Sequence, residues 1–448
     1  MIKKVLIANR GEIAVRVIRA CREMDIATVA VYSEADKEAL HVKLADEAVC
    51  IGPAISRDSY LNIQNILSAC ILTEADAIHP GFGFLSENSR FAKMCEECNI
   101  KFIGPNYKAI ELLGNKARAR EIMREAGVPI VPGYEGKIEN EEHALELAKE
   151  IGFPVIVKAA AGGGGKGIKI VYKEEDLISS YNTAKAESKA NFGDDTMYIE
   201  KYIENPKHIE IQILGDDHGN VVHLGERDCS VQRKNQKVLE EAPSTVLSEE
   251  IREIMGEIAK KAAKAVNYNS VGTIEFLYDI SGNFYFMEMN TRIQVEHPIT
   301  EMVTGVDLVK EQINVASGME ISFKQEDISI KGHSIECRIN AEDPNENFRP
   351  CPGVIEEVNF PGGLGVRVDT AIYGGYKIPQ FYDSMIGKLI VYGRNRDEAI
   401  RRMKRALAEF IVVGVVTNVD LHFSILNHED FVNGSYSTLF LTDKLVNK

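Results

Sequence analysis

A short segment, Glu288–Glu296, concentrates groups that could do chemistry. Its sequence, Glu-Met-Asn-Thr-Arg-Ile-Gln-Val-Glu, has a polar residue at every second position. An extended chain would direct these alternate side chains to one face. Two carboxylates, two amides and a guanidinium in one row could coordinate a cation, hold an anion and move a proton. The alternative is an edge strand with a solvated face, but the flanking residues favour a site.

The segment is predicted to continue the second strand of a β-hairpin. Two strand-forming stretches flank a turn signal at Asp279–Asn283. A two-residue loop at 281–282 would place Glu275 opposite Glu288, and two like charges in that arrangement destabilise a sheet unless a cation lies between them. Magnesium favours one or two carboxylates completed by water and phosphate oxygens. Glu275, Glu288 and Asn290 therefore indicate a site for nucleotide-bound Mg²⁺.

Composition limits the class of protein. The 448 residues suggest about three domains, and 45% hydrophobic with 27% charged residues is typical of a globular chain. No apolar run approaches the roughly 20 residues of a membrane span, and no signal-peptide core follows the first residues, so we expect cytoplasmic residence. A net charge of −15 argues against nucleic acid or a membrane as the main partner. The eight scattered cysteines indicate reduced thiols.

The spacing of apolar residues outlines the architecture. The first hundred residues alternate short apolar strands with amphipathic helices, which predicts a parallel α/β unit with Ser86 capping one of its helices. Asn115 is a favourable N-cap for a helix that starts at Lys116, so a boundary is expected near residue 114. Further on, the strands at 208–213 and 334–340 each have one polar face.

A glycine-rich loop joins two predicted strands. Gly162–Gly167 matches the dinucleotide fingerprint by letter, but a strand follows it where that motif requires a helix, and it lacks the Ser or Thr of a P-loop. A glycine hairpin can still close over phosphates, because its N–H groups approach without obstruction. The alternative is a flexible surface turn. Lys158 and Lys116 could bind phosphates or extend to solvent, and the Glu200–Ile203 strand edge could pair with an adenine.

This combination of features resembles the ATP-grasp superfamily. Longer segments are similar to the biotin carboxylase family, and the resemblance runs essentially end to end. The segments that carry it are Ile7–Ala14, His79–Asn88, Glu226–Ser230 and Glu288–Pro298.

The resemblance implies an α/β and α+β fold in three parts. These are a Rossmann-like N-terminal domain at 1–114, an ATP-grasp domain at 115–329 with a glycine-hairpin lid at 130–204, and a C-terminal biotin carboxylase domain at 330–448. It also implies the site residues. Those for ATP are Lys116, Lys158, Gly164, Gly165, Glu200, Lys201, Ile203, His208, Gln232, Asn235, Glu275, Leu277 and Glu288. Those for Mg²⁺ or Mn²⁺ are Glu275, Glu288 and Asn290; those for bicarbonate are Lys237, Arg292, Gln294, Val295 and Glu296; and those for biotin are Arg338, Phe82 and Asp383.

Two positions depart from the pattern of many family members. Phe82 replaces a tyrosine and Asn235 replaces a histidine. We expect these replacements to bear on local contacts of the pocket and not on the reaction.

The implied catalytic residues are Lys237, Arg292, Glu296 and Arg338. Glu296, kept ionised by Arg292 and Lys237, would take the bicarbonate proton. Attack on the γ-phosphate of ATP would give carboxyphosphate, which breaks to CO₂ and phosphate. The phosphate would then remove the biotin N1′ proton while Arg338 stabilises the enolate-like oxygen.

The resemblance also implies partners. The chain has no Ala-Met-Lys-Met biotin-attachment sequence, so biotin is expected on a separate carrier protein, with a separate carboxyltransferase and a homodimeric carboxylase. Acetyl-CoA carboxylase is the expected parent complex, and a pyruvate or other acyl-CoA carboxylase is the alternative. Two further alternatives are another ATP-grasp ligase and a non-catalytic nucleotide sensor.

Overall fold

The computed structural model describes residues 2–134, 136, 138–159, 168–192 and 196–446. The chain divides into two compact units. The larger unit comprises Met1–Val128, Lys207–Phe276 and Glu288–Lys448, and the smaller unit comprises Pro129–Pro206 and Leu277–Met287. No helix among the described residues is long and apolar enough to cross a membrane.

A parallel sheet opens the larger unit, as the alternation of strands and helices predicts. Its five strands are ordered β3-β2-β1-β4-β5 and all neighbours are parallel. Buried apolar side chains from β1 and the helix after it, such as Val5, Ile7 and Val17, form one core of the unit. The strands are β1 (Lys4–Ile7), β2 (Ala27–Ser33), β3 (Glu47–Gly52), β4 (Ala77–His79) and β5 (Lys101–Phe102).

The helices of this region start at side-chain caps. Asn115 accepts a hydrogen bond from the Arg118 N–H at 3.1 Å, so the predicted cap is confirmed. The predicted Ser86 cap is wrong, because Asn88 accepts from the Phe91 N–H at 2.9 Å instead. The helices are α1 (Gly11–Glu23), α2 (Leu40–Leu44), α3 (Ile63–Leu72), α4 (Ser89–Glu97), α5 (Tyr107–Gly114) and α6 (Lys116–Glu125).

The smaller unit is a four-stranded sheet packed with two helices. Its strand order is β6-β9-β7-β8 and its neighbours are antiparallel. Val155, Val157 and Ile199 of the sheet share a buried core with Leu147 and Tyr181 of the helices. The elements are β6 (Gly133–Tyr134), α7 (Glu141–Ile151), β7 (Val155–Ala159), β8 (Ile168–Val171), α8 (Leu177–Phe192) and β9 (Met197–Lys201).

A long sheet forms the middle of the chain and continues into its C-terminal part. Its eight strands are ordered β14-β13-β10-β11-β12-β15-β20-β19. Two small sheets pair β16 with β17 and β18 with β21. The strands are β10 (Lys207–Gly215), β11 (Val221–Arg233), β12 (Gln236–Ala242), β13 (Val271–Tyr278), β14 (Phe284–Asn290), β15 (His333–Asn340), β16 (Glu342–Asp343), β17 (Arg349–Pro350), β18 (Glu357–Asn359), β19 (Val366–Thr370), β20 (Met385–Gly393) and β21 (Ile411–Val413).

Helices cover this sheet. The remaining helices are α9 (Glu249–Ala265), α10 (His297–Thr304), α11 (Leu308–Ala316), α12 (Arg396–Glu409), α13 (Val419–Asn427) and α14 (Glu429–Val432). Single turns of 3₁₀ helix lie at Glu34–Asp36, Ser56–Asp58, Glu174–Asp176, Gln325–Asp327 and Pro344–Glu346, and a π-helical turn lies at Thr442–Val446.

The central strands are buried on both faces, although one face is polar. In β10, every residue is buried, including the charged and amide side chains of its polar face. A buried polar group must find a partner or it costs free energy. The polar face of this sheet is therefore where side-chain networks must form, and its members in β10 are His208, Glu210 and Gln212.

Candidate active site

A buried lysine surrounded by three carboxylates forms the centre of the site. The Lys237 ammonium on β12 donates to Glu210 Oε2 at 2.6 Å, to Glu296 Oε1 at 2.6 Å and to Glu275 Oε1 at 3.0 Å. The carboxylates come from β10, from the residue before α10 and from β13. The Lys237 side chain is 12% exposed, and the three glutamates are more buried still.

Mutual charge compensation keeps Lys237, Glu275 and Glu296 ionised. Burial by itself would raise the pKa of Glu296, but the charges of Lys237 and Arg338 hold it well below its usual range. The pKa of Glu275 is also lowered against the effect of burial, through Lys237 and His208. Burial opposes the charged form of Lys237, yet Cys229 and the surrounding carboxylates raise its pKa well above the usual value. The site therefore holds an anionic carboxylate, Glu296, that can accept a proton.

Two arginines approach the same region. Arg338 on β15 donates to Glu240 Oε1 at 2.6 Å and to Glu296 Oε2 at 2.9 Å. Arg292 donates to Glu87 Oε2 at 2.9 Å and to Asn290 Oδ1 at 3.0 Å. Glu296 thus lies between Lys237 and Arg338, which places a base next to two cationic anchors for an anion.

Arg227 connects several residues of the site through hydrogen bonds. It is fully buried on β11, and each of its five N–H groups can be assigned an acceptor. It contacts Glu210, Gln212 and Gln294 at 2.5–2.7 Å, and two threonine hydroxyls complete the set. The threonines are Thr273 at 3.1 Å and Thr300 at 2.9 Å.

Several of these residues have no role predicted from the sequence. The sequence pattern places Glu210 only on a polar strand face and Arg227 only within a family motif. Glu87 likewise lies only within a family motif, and Glu240 belongs to no motif. A charged residue inside an otherwise buried strand is the signal that could have pointed to Arg227 and Glu240.

The polar residues of Glu288–Glu296 do come together at the site, although the strand predicted for this segment is too long. The strand β14 ends at Asn290, and residues 291–296 form bends and turns before α10. Glu296 is the N-cap residue of α10, which has a proline in its first turn. Gln294 still reaches Glu275, to which its amide donates at 2.9 Å. A loop therefore gathers these groups where the sequence predicts an extended face.

The predicted hairpin loop is also corrected. The Asp279 N–H donates to the Asn283 carbonyl at 2.8 Å, so the loop has three residues. The strand pairing counted outward from this loop is therefore shifted by one residue from the predicted pairing. The Asp279 carboxylate fixes this turn, since it accepts from the N–H groups of Ser281 and Asn283 at 2.9 and 2.8 Å. The partner of Glu275 in this region is Asn290, whose amide donates to it at 2.9 Å.

The three predicted metal ligands provide a chemically suitable donor set. Glu275 and Asn290 are in direct contact, and Glu288 on the same strand as Asn290 has its carboxylate 3.4 Å from the Lys116 ammonium. Carboxylate and amide oxygens are the hard donors that Mg²⁺ prefers. These residues could hold a divalent cation with water and phosphate oxygens as the remaining ligands.

The residues predicted to bind ATP are distributed over both units. In the larger unit, Gln232 donates to His208 Nδ1 at 2.8 Å, and His208 Nε2 lies 3.1 Å from Glu275. Lys116 is exposed at the start of α6, and Asn235 is exposed at the tip of the β11–β12 hairpin.

In the smaller unit, Lys158 on β7 forms an ion pair with Glu200 on β9. Lys201 donates to the carbonyls of Gly152 and Phe153, both at 2.9 Å. Ile203 is buried and Leu277 is half-buried. Gly164 and Gly165 lie outside the described residues.

The residues predicted to bind biotin line one cavity in the larger unit. It has a volume of about 490 Å³, which suits a small organic ligand. Phe82, Asp383, Arg338 and Val295 all contribute to its lining. The carbonyl of Val295 accepts from the buried Lys388 at 2.8 Å, which fixes the backbone beside Glu296.

Comparison with known proteins decides the family. Residues 1–110 match the family described as Biotin carboxylase, N-terminal domain, and residues 336–443 match the Biotin carboxylase C-terminal domain. Residues 115–324 match the Carbamoyl-phosphate synthase L chain, ATP binding domain. Biotin carboxylase 1 of Bacillus subtilis is 63% identical over 442 residues, which is 98% of each chain. The chain belongs to the biotin carboxylase family.

Other members of the family serve different complexes. A subunit of the pyruvate carboxylase of Methanothermobacter thermautotrophicus is 54% identical over 99% of this chain and 90% of its own. The biotin carboxylase domain dimer of Hydrogenobacter thermophilus 2-oxoglutarate carboxylase, solved with MgADP, ADP and bicarbonate, superimposes with a TM-score of 0.89. It is 54% identical, and the match covers 99% of this chain and 98% of that one.

Family membership confirms several predictions from the sequence. The fold is the ATP-grasp architecture with a Rossmann-like N-terminal domain, and the chain is an ATP-dependent ligase of the biotin carboxylase type. A biotin carboxylase uses ATP, Mg²⁺ and biotin. The alternative of a non-catalytic nucleotide sensor has no support in these comparisons.

Proposed function

We propose that this biotin carboxylase belongs to an acetyl-CoA carboxylase and performs its first half-reaction. The support is that the chain spans 98% of Biotin carboxylase 1 of Bacillus subtilis, a free-standing biotin carboxylase, and acetyl-CoA carboxylase is the parent complex expected for a free-standing subunit of this kind. The chain acts on biotin carried by a separate carrier protein, and a separate carboxyltransferase passes the carboxyl group on. It works in the cytoplasm as a homodimer, an assembly supported by the domain dimer of the related 2-oxoglutarate carboxylase.

The proposal includes the domain bounds, 1–114, 115–329 with a lid at 130–204, and 330–448. The matched family segments, 1–110, 115–324 and 336–443, support these bounds.

The observation that carries the catalytic proposal is the position of Glu296 between Lys237 and Arg338. Its two oxygens accept from these cations at 2.6 and 2.9 Å, so the carboxylate is held in one orientation and stays ionised. Bicarbonate would bind with its charge near Lys237 and Arg292, with Gln294 and the Val295 N–H as further donors. Glu296 then takes the bicarbonate proton, which generates the nucleophile.

The resulting carbonate oxygen attacks the γ-phosphate of ATP and gives carboxyphosphate and ADP. Lys116, Lys158 and the glycine loop position the phosphates, because phosphoryl transfer depends mainly on positioning and electrostatics. Glu275, Glu288 and Asn290 would hold Mg²⁺, which neutralises phosphate charge when bound. The remaining ATP residues of the proposal are Gly164, Gly165, Glu200, Lys201, Ile203, His208, Gln232, Asn235 and Leu277.

Carboxyphosphate breaks down to CO₂ and phosphate beside the cavity that Arg338 lines. The phosphate removes the N1′ proton of biotin, and the Arg338 guanidinium stabilises the negative charge that develops on the ureido oxygen. Phe82 and Asp383 contribute to the same cavity and would position the bicyclic ring of biotin.

The first experiment measures ADP release with ATP, Mg²⁺ and bicarbonate, with and without free biotin, and traps labelled carboxybiotin. We expect biotin to stimulate turnover and the product to be trapped. Bicarbonate-dependent ATP cleavage that is indifferent to biotin would contradict the proposed acceptor.

A pair of matched variants tests the role of Arg338. Arg338→Ala should abolish carboxybiotin formation while most nucleotide binding remains. Arg396→Ala removes a comparable partly buried arginine, which donates to Glu241 at 2.7 Å on the opposite face of β12, and should leave the reaction intact. Weakened ATP binding with normal carboxylation in Arg338→Ala would contradict the assignment.

The parent complex requires a separate test. The tagged chain, purified from its native cells with its partners, should support labelled bicarbonate incorporation into acetyl-CoA. Incorporation into pyruvate or another acyl-CoA in place of acetyl-CoA would overturn this part of the proposal.

A further inference from the structure

Two buried glutamates face each other directly behind Arg338. Glu240 on β12 and Glu336 on β15 are Cα partners in the antiparallel ladder, and both are 0% exposed. Side chains at such paired positions lie on the same face with Cβ atoms about 4.5–5.5 Å apart. The two carboxyl groups are therefore neighbours, and both are shielded from bulk solvent.

The two carboxyl groups have very different hydrogen-bond environments. Glu240 Oε1 accepts from Arg338 at 2.6 Å. Glu240 Oε2 and both oxygens of Glu336 are buried and receive no hydrogen bond from any described residue. A buried carboxylate without a donor is strongly disfavoured, whereas a carboxylic acid in that position can itself donate.

Lys388, whose positive charge acts on Glu336, already has other partners. Lys388 on β20 is paired with Arg338 in the ladder and is fully buried. Its ammonium donates to the Val295 carbonyl at 2.8 Å and lies 3.2 Å from Glu12. The cross-strand neighbour to which an acid at Glu336 can donate is therefore Glu240.

We propose that Glu336 is a neutral acid that donates to Glu240, and that this acid–carboxylate pair positions the Arg338 guanidinium for the biotin ureido oxygen. The inference rests on the proposed role of Arg338 at the biotin site. With one proton between them, the two glutamates carry a single negative charge, which matches the single positive charge of Arg338. Donation to Oε2 also fixes the orientation of Glu240, and so of the arginine it holds.

The electrostatic surroundings agree with one shared proton. Burial raises the pKa of Glu336 well above its usual range, with Lys388 opposing and Glu240 adding to the shift. Burial likewise raises the pKa of Glu240 to about 7, although Arg338 opposes this. The other charged groups that face the pair are Glu296 and Lys237. The titrations of two such carboxyl groups are coupled: once one group has ionised, its negative charge makes ionisation of the other less favourable.

This arrangement has a consequence for the pH dependence of the reaction. When the shared proton is lost at high pH, two negative charges would face Arg338 and draw the guanidinium away from the biotin oxygen. The carboxylation rate should therefore fall at alkaline pH. An amide at position 336 cannot lose this proton, so it would remove this cause of the decrease. Positioning residues act through the group they hold, so the effect should appear in kcat for biotin and leave the KM for ATP unchanged.

The test compares four variants by carboxybiotin formation and by bicarbonate-dependent ATP cleavage without biotin. Glu240→Gln removes the anionic anchor and should lower kcat for biotin carboxylation by roughly 100-fold, the scale of a misplacement of about 1 Å. Glu336→Gln keeps a hydrogen-bond donor and should retain activity, with its alkaline limb shifted to higher pH. Glu336→Leu removes the donor and should lose activity. Glu241→Gln changes the neighbouring buried glutamate on the other face and is the control.

The outcomes separate the inference from the proposed function. If Arg338→Ala still carboxylates biotin, the proposed function itself fails. If Arg338→Ala is inactive but Glu240→Gln has normal kcat, or Glu336→Gln is as impaired as Glu336→Leu, the proton-sharing pair is refuted. Thermal unfolding identifies any variant that does not fold, and the pH profile of the isosteric Glu336→Gln then decides the question.

Discussion

Replacing Lys237 with methionine should destabilise the folded chain, because the carboxylates around it lose the positive charge that compensates them. In the native chain one ammonium compensates Glu210, Glu275 and Glu296 at 2.6–3.0 Å. Methionine keeps the length of the side chain and removes its charge. Removing one partner of a buried ion pair costs about 3–5 kcal/mol, because the remaining charges are left uncompensated.

The expected change in melting temperature follows from chain length. An unfolding entropy of about 2.1 cal/mol/K per residue gives roughly 0.9 kcal/mol/K for 448 residues. The destabilisation then corresponds to a decrease of about 3–5 °C in Tm by calorimetry at pH 7.5. The matched control is Lys149→Met, which removes an exposed ammonium that also lies 2.6 Å from a carboxylate, that of Glu174. It should change Tm by no more than about 1 °C.

The pH dependence gives a second check with a defined sign. In the native chain the pKa of Glu296 is depressed, so the stability it contributes is present above its unfolded pKa and is lost as the pH falls. Without Lys237 the pKa values of Glu275 and Glu296 should rise, so these carboxylates take up protons more readily in the folded variant. The deficit of Lys237→Met should therefore be largest near pH 8 and shrink toward pH 5. A deficit no larger than that of Lys149→Met, or one that grows toward pH 5, would refute the reasoning.

Three further predictions concern other parts of the chain. Arg292→Ala should raise the KM for bicarbonate by at least tenfold with little effect on the KM for ATP, as measured by ADP release, and an unchanged bicarbonate KM would remove Arg292 from the anion site. Burial lowers the pKa of His41 to about 4 from an ordinary 6.5, so the unfolded chain binds this proton first as the pH falls. In urea titrations, His41→Asn should therefore reduce the loss of stability between pH 6.5 and 4 by about 1.4 kcal/mol per pH unit. An unchanged slope would contradict this. Gly256→Ala should destabilise by about 1–3 kcal/mol in the same titrations, because the new Cβ would lie 2.4 Å from the His223 ring, and a stabilised variant would show that the ring can move.

Much of the fold is predictable from local patterns. The parallel sheet at the N-terminus follows from short apolar runs alternating with helical spacing, and the Asn115 cap follows from its side-chain chemistry. Part of the site is also identifiable: Glu296 lies in a family motif, Lys237 is implied by the family resemblance, and Glu275 follows from the predicted hairpin, whereas Glu210 is placed only on a polar strand face.

The predictions that were wrong depend on local competition for hydrogen bonds. The hairpin has a three-residue loop because the Asp279 carboxylate binds two N–H groups of the turn, and residue types alone do not show which loop length wins. The helix after residue 88 starts two residues later than predicted, because Asn88 and Ser86 are both acceptable caps and the fold selects Asn88.

The buried polar networks could not be predicted from alternation. A polar strand face has the same sequence pattern whether it meets water or an opposing polar face. Glu240 and Glu336 become a pair only because β12 and β15 are neighbours, although nearly a hundred positions separate them in the chain. Such long-range pairings depend on topology.

The saturated guanidinium of Arg227 bears on how sequence variants of this protein should be interpreted. With Glu210, Gln212, Gln294 and two threonines as acceptors, it has no donor left for a substrate. Its loss would reduce the amount of folded protein in the cell, and growth-based screens would score it as severely as a loss of chemistry. Measuring protein abundance beside growth would distinguish this arginine, which is needed to build the pocket, from those that act within it.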